Sequence, residues 1–303
     1  MRTLTVDPES LARAVTPRSR AILVAHLFGS RMPLEPVLSA AREHGLFVIE
    51  DCAQAYCGDG YRGHSECDVS LFSFGPIKTA TALAGGLITF RDRSLRDRVE
   101  ERQASWPVQG RGRFLTRIGK YSFLKLLSYR PVFSLFYRGC RLAGASHDAI
   151  ISGSVRGFAG PGFFGRIRQR PSFPLLALLA RRLKRCDSQG IEDRAALARL
   201  AIGLMPTVER PGDRAPWHTH WVFPIQEDEP EMLIPSLWAR GFDATRGASS
   251  LCVVDPPADR PEMEPAQARR AFSRLLYLPV HPGLRDRDVE RLAQAVQESK
   301  ARG

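Results

Sequence analysis

The sequence has no long apolar run and only a few scattered cysteines. Its longest apolar candidate, residues 174–180, stops at two arginines, far short of the roughly 20 apolar residues that a spanning helix needs. The first 20 residues alternate polar and small side chains and lack the apolar core of a signal peptide. Six irregularly spaced cysteines in 303 residues indicate free thiols in a reducing compartment. These absences predict a cytoplasmic protein.

Acidic residues are also scarce. The chain has 44 Lys and Arg against 32 Asp and Glu, a formal net charge of +12. Such a surplus attracts anionic substrates such as nucleotide-sugars, nucleic acid or an acidic membrane face. The simplest interpretation is an arginine-rich solvated surface. Because no nucleic-acid-binding motif accompanies the charge, we do not predict a nucleic-acid partner.

Polar side chains follow apolar strands within residues 47–86. Asp51 and Gln54 come at and after the end of one predicted strand, Ser73 ends the next, and a Gly-Pro turn then leads to Lys78. Ligands of α/β sheets bind just beyond the carboxyl ends of the strands, so these groups can converge on one crevice. Taken singly, Lys78 is an exposed loop lysine and Asp51 a turn former. Together, a positioned amine and a nearby carboxylate are what pyridoxal phosphate chemistry requires.

This stretch resembles the DegT/StrS family of sugar aminotransferases, which are fold type I pyridoxal-phosphate enzymes. The matching segments are AILVAHLFG, HGLFVIEDCAQA, FSFGPIKTATALAGG and LYLPVHPGL. The resemblance implies that Lys78 forms the Schiff base with pyridoxal 5'-phosphate and that Asp51 faces its ring nitrogen. It further implies that Gln54 reaches the phenolic oxygen and that Ser73 binds the phosphate. Similar proteins that dehydrate sugars carry histidine where Lys78 stands, so the lysine favours amino transfer.

The resemblance also implies a fold and a domain order. We expect an α/β protein with a partial large domain, a mostly parallel sheet with helices, over residues 1–103. A basic, apolar helical insertion follows at 104–185, and a small α/β C-terminal domain at 186–303. Hydrophobic periodicity predicts strands at 21–27, 47–50, 69–74, 86–90, 220–225 and 276–280, and helices at 94–103, 195–204, 232–240 and 286–297.

The insertion interleaves aromatic and leucine side chains with arginine and lysine. Residues 114–142 predict two short helices separated at Pro131. One interpretation is a helical insertion that packs on the main body or on a partner subunit. The other is peripheral contact with a membrane, since a surface-bound helix has a basic polar face opposite aromatics. We favour packing, because basic amphipathic stretches are common in arginine-rich chains.

The family's glycine-threonine phosphate loop and ring-stacking aromatic have no counterpart here, which predicts that an N-terminal part is missing. By resemblance we expect amino transfer from glutamate or glutamine to a keto-sugar, nucleotide-linked, or to a similar carbonyl substrate. The reaction would follow a ping-pong cycle in a homodimer. His218 and Arg246 are weaker substrate candidates, since strand packing and a surface ion pair are the commoner roles. The alternative is an inactive or truncated remnant that serves as an interaction or membrane-peripheral protein.

A zinc site is a further alternative for the same stretch. Cys52, Cys57, His64 and Cys67 offer a Cys3His donor set. Their spacings of 5, 7 and 3 residues lack the close cysteine pair of most structural zinc sites, and Cys52 lies inside the strand-end motif. We therefore predict no metal.

Overall fold

The computed structural model describes residues 1–145, 150–151, 162–247 and 251–300. Parts of the predicted insertion, residues 146–149 and 152–161, lie outside the described residues. The chain divides into two compact units: residues 1–70 with 187–303 form the first unit, and residues 71–186 form the second. The three domains predicted from the sequence stay a prediction.

Helices and short strands alternate along the chain. The strands are β1 (Ala21–Ala25), β2 (Ser30–Arg31), β3 (Phe47–Asp51), β4 (Val69–Ser73), β5 (Gly86–Phe90), β6 (Trp217–His218), β7 (Phe223–Gln226) and β8 (Leu275–Leu278). The helices are α1 (Pro8–Ala14), α2 (Glu35–His44), α3 (Arg93–Ala104), α4 (Arg111–Leu127), α5 (Arg130–Leu142), α6 (Phe163–Ile167), α7 (Phe173–Lys184), α8 (Ser188–Leu204), α9 (Pro230–Ala239), α10 (Ala266–Ser273) and α11 (Asp286–Lys300). A 3-10 turn covers Pro261–Met263.

The first unit begins with a βαβ element. β1 pairs in parallel with β3 in a register that sets Ala25 opposite Asp51, and α2 makes the crossover that parallel strands require. Val37 and Leu38 of α2 are buried in the core beside the strands. In the sheet, the start of β4 lies beside β3. The backbone N–H of Asp68 donates to the carbonyl of Val48 at 3.0 Å, which aligns the chain entering β4 with β3.

A second core of the first unit is built from C-terminal elements. β7 and β8 pair antiparallel, and every residue of both strands is buried. α11 packs against α8 and α9. Its apolar face, with Val289, Leu292 and Val296, is completely buried. A strand pair covered by helices in this way is the ordinary two-layer solution for an α/β core.

The second unit holds the end of β4 beside β5. α4 packs against α5 and α7. Phe114 of α4 and Leu175 and Leu179 of α7 supply buried apolar side chains. None of the helices among the described residues has both the length and the apolar character needed to cross a bilayer.

The α/β fold predicted from the sequence is confirmed. β5 has the predicted bounds, and the helix break near Pro131 falls between α4 and α5. The predicted strand at 220–225 is wrong at its start, because His220 has φ 51°, a left-handed conformation that extended strands do not use. β7 therefore begins at Phe223.

Candidate active site

Asp51 is the last residue of β3 and is half-buried. Its Oδ1 accepts a hydrogen bond from the backbone N–H of Ala53 at 2.8 Å, an Asx turn that fixes the carboxylate as the chain leaves the strand. Oδ2 makes no hydrogen bond to any residue that the structure describes. The aspartate is thus oriented by its own turn, and its second oxygen can accept a hydrogen bond from another group.

Gln54 is held from the turn that follows β1. Its Oε1 accepts a hydrogen bond from the backbone N–H of Phe28 at 2.8 Å. A backbone N–H can only donate, so this contact fixes which end of the amide faces Phe28. Phe28 is completely buried and has φ 60°, so the packed core maintains a strained conformation at this point. The side-chain NH2 of Gln54 is consequently presented as a hydrogen-bond donor.

Ser73 and Lys78 lie in the second unit, at the end of β4 and in the turn after it. The Ser73 hydroxyl makes no hydrogen bond within the described ranges. The backbone N–H of Lys78 donates to the carbonyl of Gly75 at 3.1 Å, which closes a tight turn, and the lysine side chain is half-buried. A hydroxyl and an amine are therefore presented five residues apart by one strand and one turn.

The base of the lysine loop is closed by Phe74 and two glycines. Phe74, completely buried, donates its N–H to the carbonyl of Gly85 and accepts from Ala82, both at 3.0 Å. A Cβ on Gly86 would lie 2.6 Å from the carbonyl oxygen of Phe72, closer than a side chain tolerates. Gly86 therefore permits a close approach of the two backbones.

The four predicted cofactor residues thus fall into two pairs. Asp51 and Gln54 belong to the first unit, where turns after β1 and β3 orient both. Ser73 and Lys78 belong to the second. Each pair has the local geometry that the sequence predicted. The joint action of all four on one cofactor stays a prediction.

Sequence reasoning missed the environment of Glu50, the residue before Asp51. Side chains alternate along a strand, so Glu50 points away from Asp51 and is completely buried. Its two oxygens accept four hydrogen bonds. The donors are His26 Nε2 (2.8 Å), Tyr61 Oη, Ser70 Oγ (2.6 Å) and the backbone N–H of His64 (2.8 Å).

The Glu50 network fixes one charge beneath the candidate site. Burial alone would raise the pKa of Glu50, but the hydrogen bonds, His26 first, outweigh it and lower that pKa to about 2. The backbone N–H of Met32 donates to His26 Nδ1 at 3.2 Å, so the proton of the neutral imidazole is on Nε2, facing Glu50. Burial, and then Glu50, raises the pKa of the Cys52 thiol well above its ordinary value.

A metal site in this region would use different residues from the Cys3His set considered in the sequence. Ligand atoms of His26, Glu50 and Cys52 lie within 4.8 Å of one another. Of the predicted Cys3His donors only Cys52 belongs to this group. Both oxygens of Glu50 are already engaged by protein donors, so the group is better explained as a satisfied buried network.

The substrate candidate His218 lies on β6, which pairs with β2. Its ring stacks on that of His220 with 4.1 Å between centroids, and its Nδ1 accepts the backbone N–H of His220 at 2.8 Å. Burial, together with the charge of Arg194, lowers the pKa of His218 to about 4. Both rings line a cavity of about 140 Å³ beside Arg210. His218 is therefore a neutral group at a small cavity whose lining is mostly apolar.

The other substrate candidate, Arg246, is used by the protein itself. It pairs with Glu231 and donates to the carbonyls of Phe272 and Ser273, the latter at 2.8 Å. No contact joins it to His218 among residues 1–145, 150–151, 162–247 and 251–300. These bonds tie the chain after α9 to the end of α10 and make substrate binding the weaker interpretation of Arg246.

Residues 1–118 match the model of the DegT/DnrJ/EryC1/StrS aminotransferase family. Over this region the chain is similar to that family. GDP-perosamine synthase from Caulobacter vibrioides is 42% identical over 97 residues, which are 31% of this chain and 26% of that protein. L-glutamine:2-deoxy-scyllo-inosose aminotransferase from Streptomyces lividus is 39% identical over 110 residues, or 35% and 26% of the two chains. The matched segments thus span about a quarter of the relatives' length.

Solved structures extend the family likeness in fold. DesV from S. venezuelae, crystallised with a ketimine intermediate, has 24% identity and a TM-score of 0.64 over 98% of this chain and 69% of its own. The aminotransferase TlmJ from Streptoalloteichus hindustanus has 20% identity and a TM-score of 0.62 over 98% and 72%. At these identities the likeness establishes the α/β fold of aminotransferases.

Proposed function

We propose that this chain is a pyridoxal-phosphate-dependent aminotransferase of the DegT/DnrJ/EryC1/StrS family that acts on a keto-sugar. The observation that carries the proposal is the complementary state of Asp51 and Gln54. Each is held by one backbone N–H, which leaves a carboxylate oxygen as acceptor and an amide NH2 as donor. A protonated ring nitrogen needs the former, and a phenolic oxygen needs the latter.

Ser73 and Lys78 supply the other two functions in this proposal. The Ser73 hydroxyl is a donor for a phosphate oxygen. The half-buried Lys78 is placed by its Gly75 turn, and its Nζ would attach the cofactor. The uncharged amine is the nucleophilic form in this chemistry.

In the proposed reaction the chain's own residues position groups and move one proton. Pyridoxal phosphate, when bound, supplies an electron sink that accepts the bonding pair of the substrate carbon. Asp51, fixed by Ala53, keeps the ring nitrogen protonated by ion pairing. The Lys78 amine would remove a proton from the substrate carbon as base and return one as acid. Gln54, fixed by Phe28, prevents the ring from rotating.

The substrate class follows from the relatives. One is named for GDP-perosamine and another for an L-glutamine-dependent amino transfer, which supports a sugar carbonyl, nucleotide-linked, and glutamine or glutamate as the donor. The expected homodimer and the substrate roles of His218 and Arg246 remain predictions.

The test is chemical labelling of the 303-residue chain. The protein is incubated with pyridoxal phosphate, reduced with borohydride, digested and mapped by mass spectrometry. We expect the reduced cofactor on the peptide that contains Lys78, and violet absorbance of the unreduced complex. Lys78→Arg should lose both signals, because the guanidinium is always protonated and cannot attack an aldehyde.

A matched control is Lys125→Arg, since Lys125 is an exposed lysine of α4 outside the proposed site. It should retain the label on Lys78. A label that persists at the same level in Lys78→Arg would contradict the assignment of this lysine. A wild-type chain that takes no label on Lys78 would instead support the alternative of an inactive remnant that acts through its surface.

A further inference from the structure

The positive charge of the chain is concentrated in one segment. Residues 104–185 contain 16 Lys and Arg and a single acidic residue, Asp148. The rest of the chain therefore has 44 − 16 = 28 basic and 32 − 1 = 31 acidic residues. A surplus of +15 in this segment exceeds the +12 of the whole protein. The net charge is concentrated there chiefly because acidic residues are almost absent from the segment.

The helices of this segment also expose large apolar side chains. On α5, Leu135 is 74% exposed and Leu142 is 91% exposed. Seven residues are almost two helical turns, so both leucines lie on one face. The exposed Arg138 and Arg141 lie on the same helix. α5 thus presents an uncovered apolar stripe with basic groups beside it.

α4 and α7, which pack against one another, repeat this pattern. Leu115, Phe123 and Leu126 of α4 are exposed at spacings of 8 and 3 residues, which a helix places on one side. Lys125 is exposed beside them. On α7, Phe173 is 75% exposed. We call nine of the exposed apolar and basic residues of these three helices the basic apolar face. Its members are Leu115, Phe123, Lys125, Leu126, Leu135, Arg138, Arg141, Leu142 and Phe173.

We propose that the basic apolar face docks on the surface of an anionic lipid membrane. Lipid is the occupant that satisfies both features at once, because acyl chains accept leucine and phenylalanine while anionic headgroups pair with lysine and arginine. The absence of a spanning helix within the described residues is what surface attachment requires. These side chains are exposed in the folded chain, so packing on the main body does not cover them, and packing on a partner subunit stays a prediction.

Other occupants match the face less well. A second copy of the chain, joined face to face, would bring two segments of +15 together with one acidic residue each, and like charges in contact repel. Nucleic acid would use the arginines, but most of the exposed apolar residues are leucines, which cannot stack on bases. Apolar aliphatic groups beside uncompensated positive charge therefore favour lipid.

The experiment is co-sedimentation of the full 303-residue chain with vesicles. One set is phosphatidylcholine with about a third phosphatidylglycerol, the other phosphatidylcholine alone. We expect binding to the anionic set and at least tenfold weaker binding to the neutral set. Lys125→Glu/Arg138→Glu/Arg141→Glu should weaken binding roughly 100-fold, since each basic residue contributes about fivefold at an anionic surface. Leu135→Ser/Leu142→Ser should weaken it about tenfold or more without changing its dependence on charge.

The matched control is Arg199→Glu/Arg270→Glu/Arg287→Glu, which makes the same change in net charge on exposed residues of the first unit. It should bind the anionic vesicles within about twofold of the wild type, because the changed residues lie outside the basic apolar face and net charge alone does not create a binding surface. Circular dichroism confirms that each variant is folded. Equal losses in both triple variants, no pelleting of the wild type at low salt, or tighter binding to a duplex DNA than to the anionic vesicles would each overturn the proposal. So would a stable dimer that the leucine pair alone dissociates.

Discussion

Two neighbouring carboxylates at the end of β3 occupy opposite environments. Asp51 is half-buried and accepts one hydrogen bond, whereas Glu50 is completely buried and accepts four. The difference follows from strand alternation, which sends one side chain into the protein and the other toward its surface. Glu50 holds the strand end in place, and Asp51 remains available for chemistry.

We expect Glu50→Gln to destabilise the protein by about 2–4 kcal/mol at pH 7. The substitution replaces one carboxylate oxygen by an NH2 group, which cannot accept the hydrogen bonds that this oxygen accepts. The pKa of Glu50 is about 2 in the folded state against an ordinary value of 4.5. Its contribution, about 3 kcal/mol at full strength, is present above pH 4.5 and is lost as the pH falls toward 2. The stability gap between wild type and variant should therefore narrow in acid, measured by urea unfolding at pH 7 and at about pH 3.5.

The control is Glu66→Gln, which removes a carboxylate from an exposed pair with Arg42 and should cost no more than about 1 kcal/mol. A gap that is equally wide at both pH values would show that the ionised network around Glu50 is not the source of the stability.

The positions of the proposed cofactor residues were predictable because their signal is local. Asp51, Gln54, Ser73 and Lys78 each follow a strand or turn that hydrophobic patterning reveals. The partners of Glu50 were not predictable, because His26 and Ser70 lie 24 and 20 residues away along the chain. Such contacts depend on strand register, which only the folded sheet defines.

At the scale of elements, the junction of β4 and β5 depends on the absence of a side chain. Gly86→Ala would place a Cβ 2.6 Å from the backbone carbonyl of Phe72, and backbone cannot move aside as a flexible side chain does. We expect a loss of roughly 2 kcal/mol in stability and faster amide hydrogen exchange in both strands. Thermal unfolding and exchange measured by mass spectrometry check the two effects.

The comparison for that substitution is Gly119→Ala in α4, where nothing lies within 4 Å of the added Cβ. Alanine in a helix interior should stabilise by about 0.5–1 kcal/mol. If both variants shifted the unfolding midpoint in the same direction, steric contact at the β4–β5 junction would be the wrong explanation.

Element types were easier to predict than element ends. β5 has its predicted bounds, since glycine precedes it and a charged residue follows. α8 begins at Ser188, seven residues before the predicted start, because the Asp187 carboxylate caps it by accepting from Gly190. α1 was missed entirely, since none of its residues is buried and no apolar periodicity marks it.

Net charge divides the sequence into two parts. Residues 104–185 have a net charge of +15, and the remainder of the chain has −3. The residues proposed for the cofactor lie outside this segment, so chemistry and surface attachment are assigned to different parts of the sequence.

Concentrated like charge has a cost that salt reveals. Lysines and arginines of residues 104–185 repel one another at low ionic strength, where the screening length is about 30 Å at 0.01 M, and hardly at all near 1 M, where it is about 3 Å. We expect added sodium chloride to raise the unfolding midpoint of the chain. If salt screens about 1 kcal/mol of this repulsion, the unfolding midpoint should rise by roughly 4–8 °C, the shift typical of a folding unit of about 100 residues.

The salt effect should depend on where charge is removed, and this distinguishes local repulsion from a general salt effect. Lys125→Glu/Arg138→Glu/Arg141→Glu places opposite charge among the repelling groups and should flatten the rise of the midpoint with salt. Arg199→Glu/Arg270→Glu/Arg287→Glu changes the net charge equally but acts where acidic residues already outnumber basic ones, so the rise should persist. Calorimetry over about 0.02–0.5 M sodium chloride measures both slopes. If the two slopes were equal, net charge rather than its concentration in residues 104–185 would govern the response.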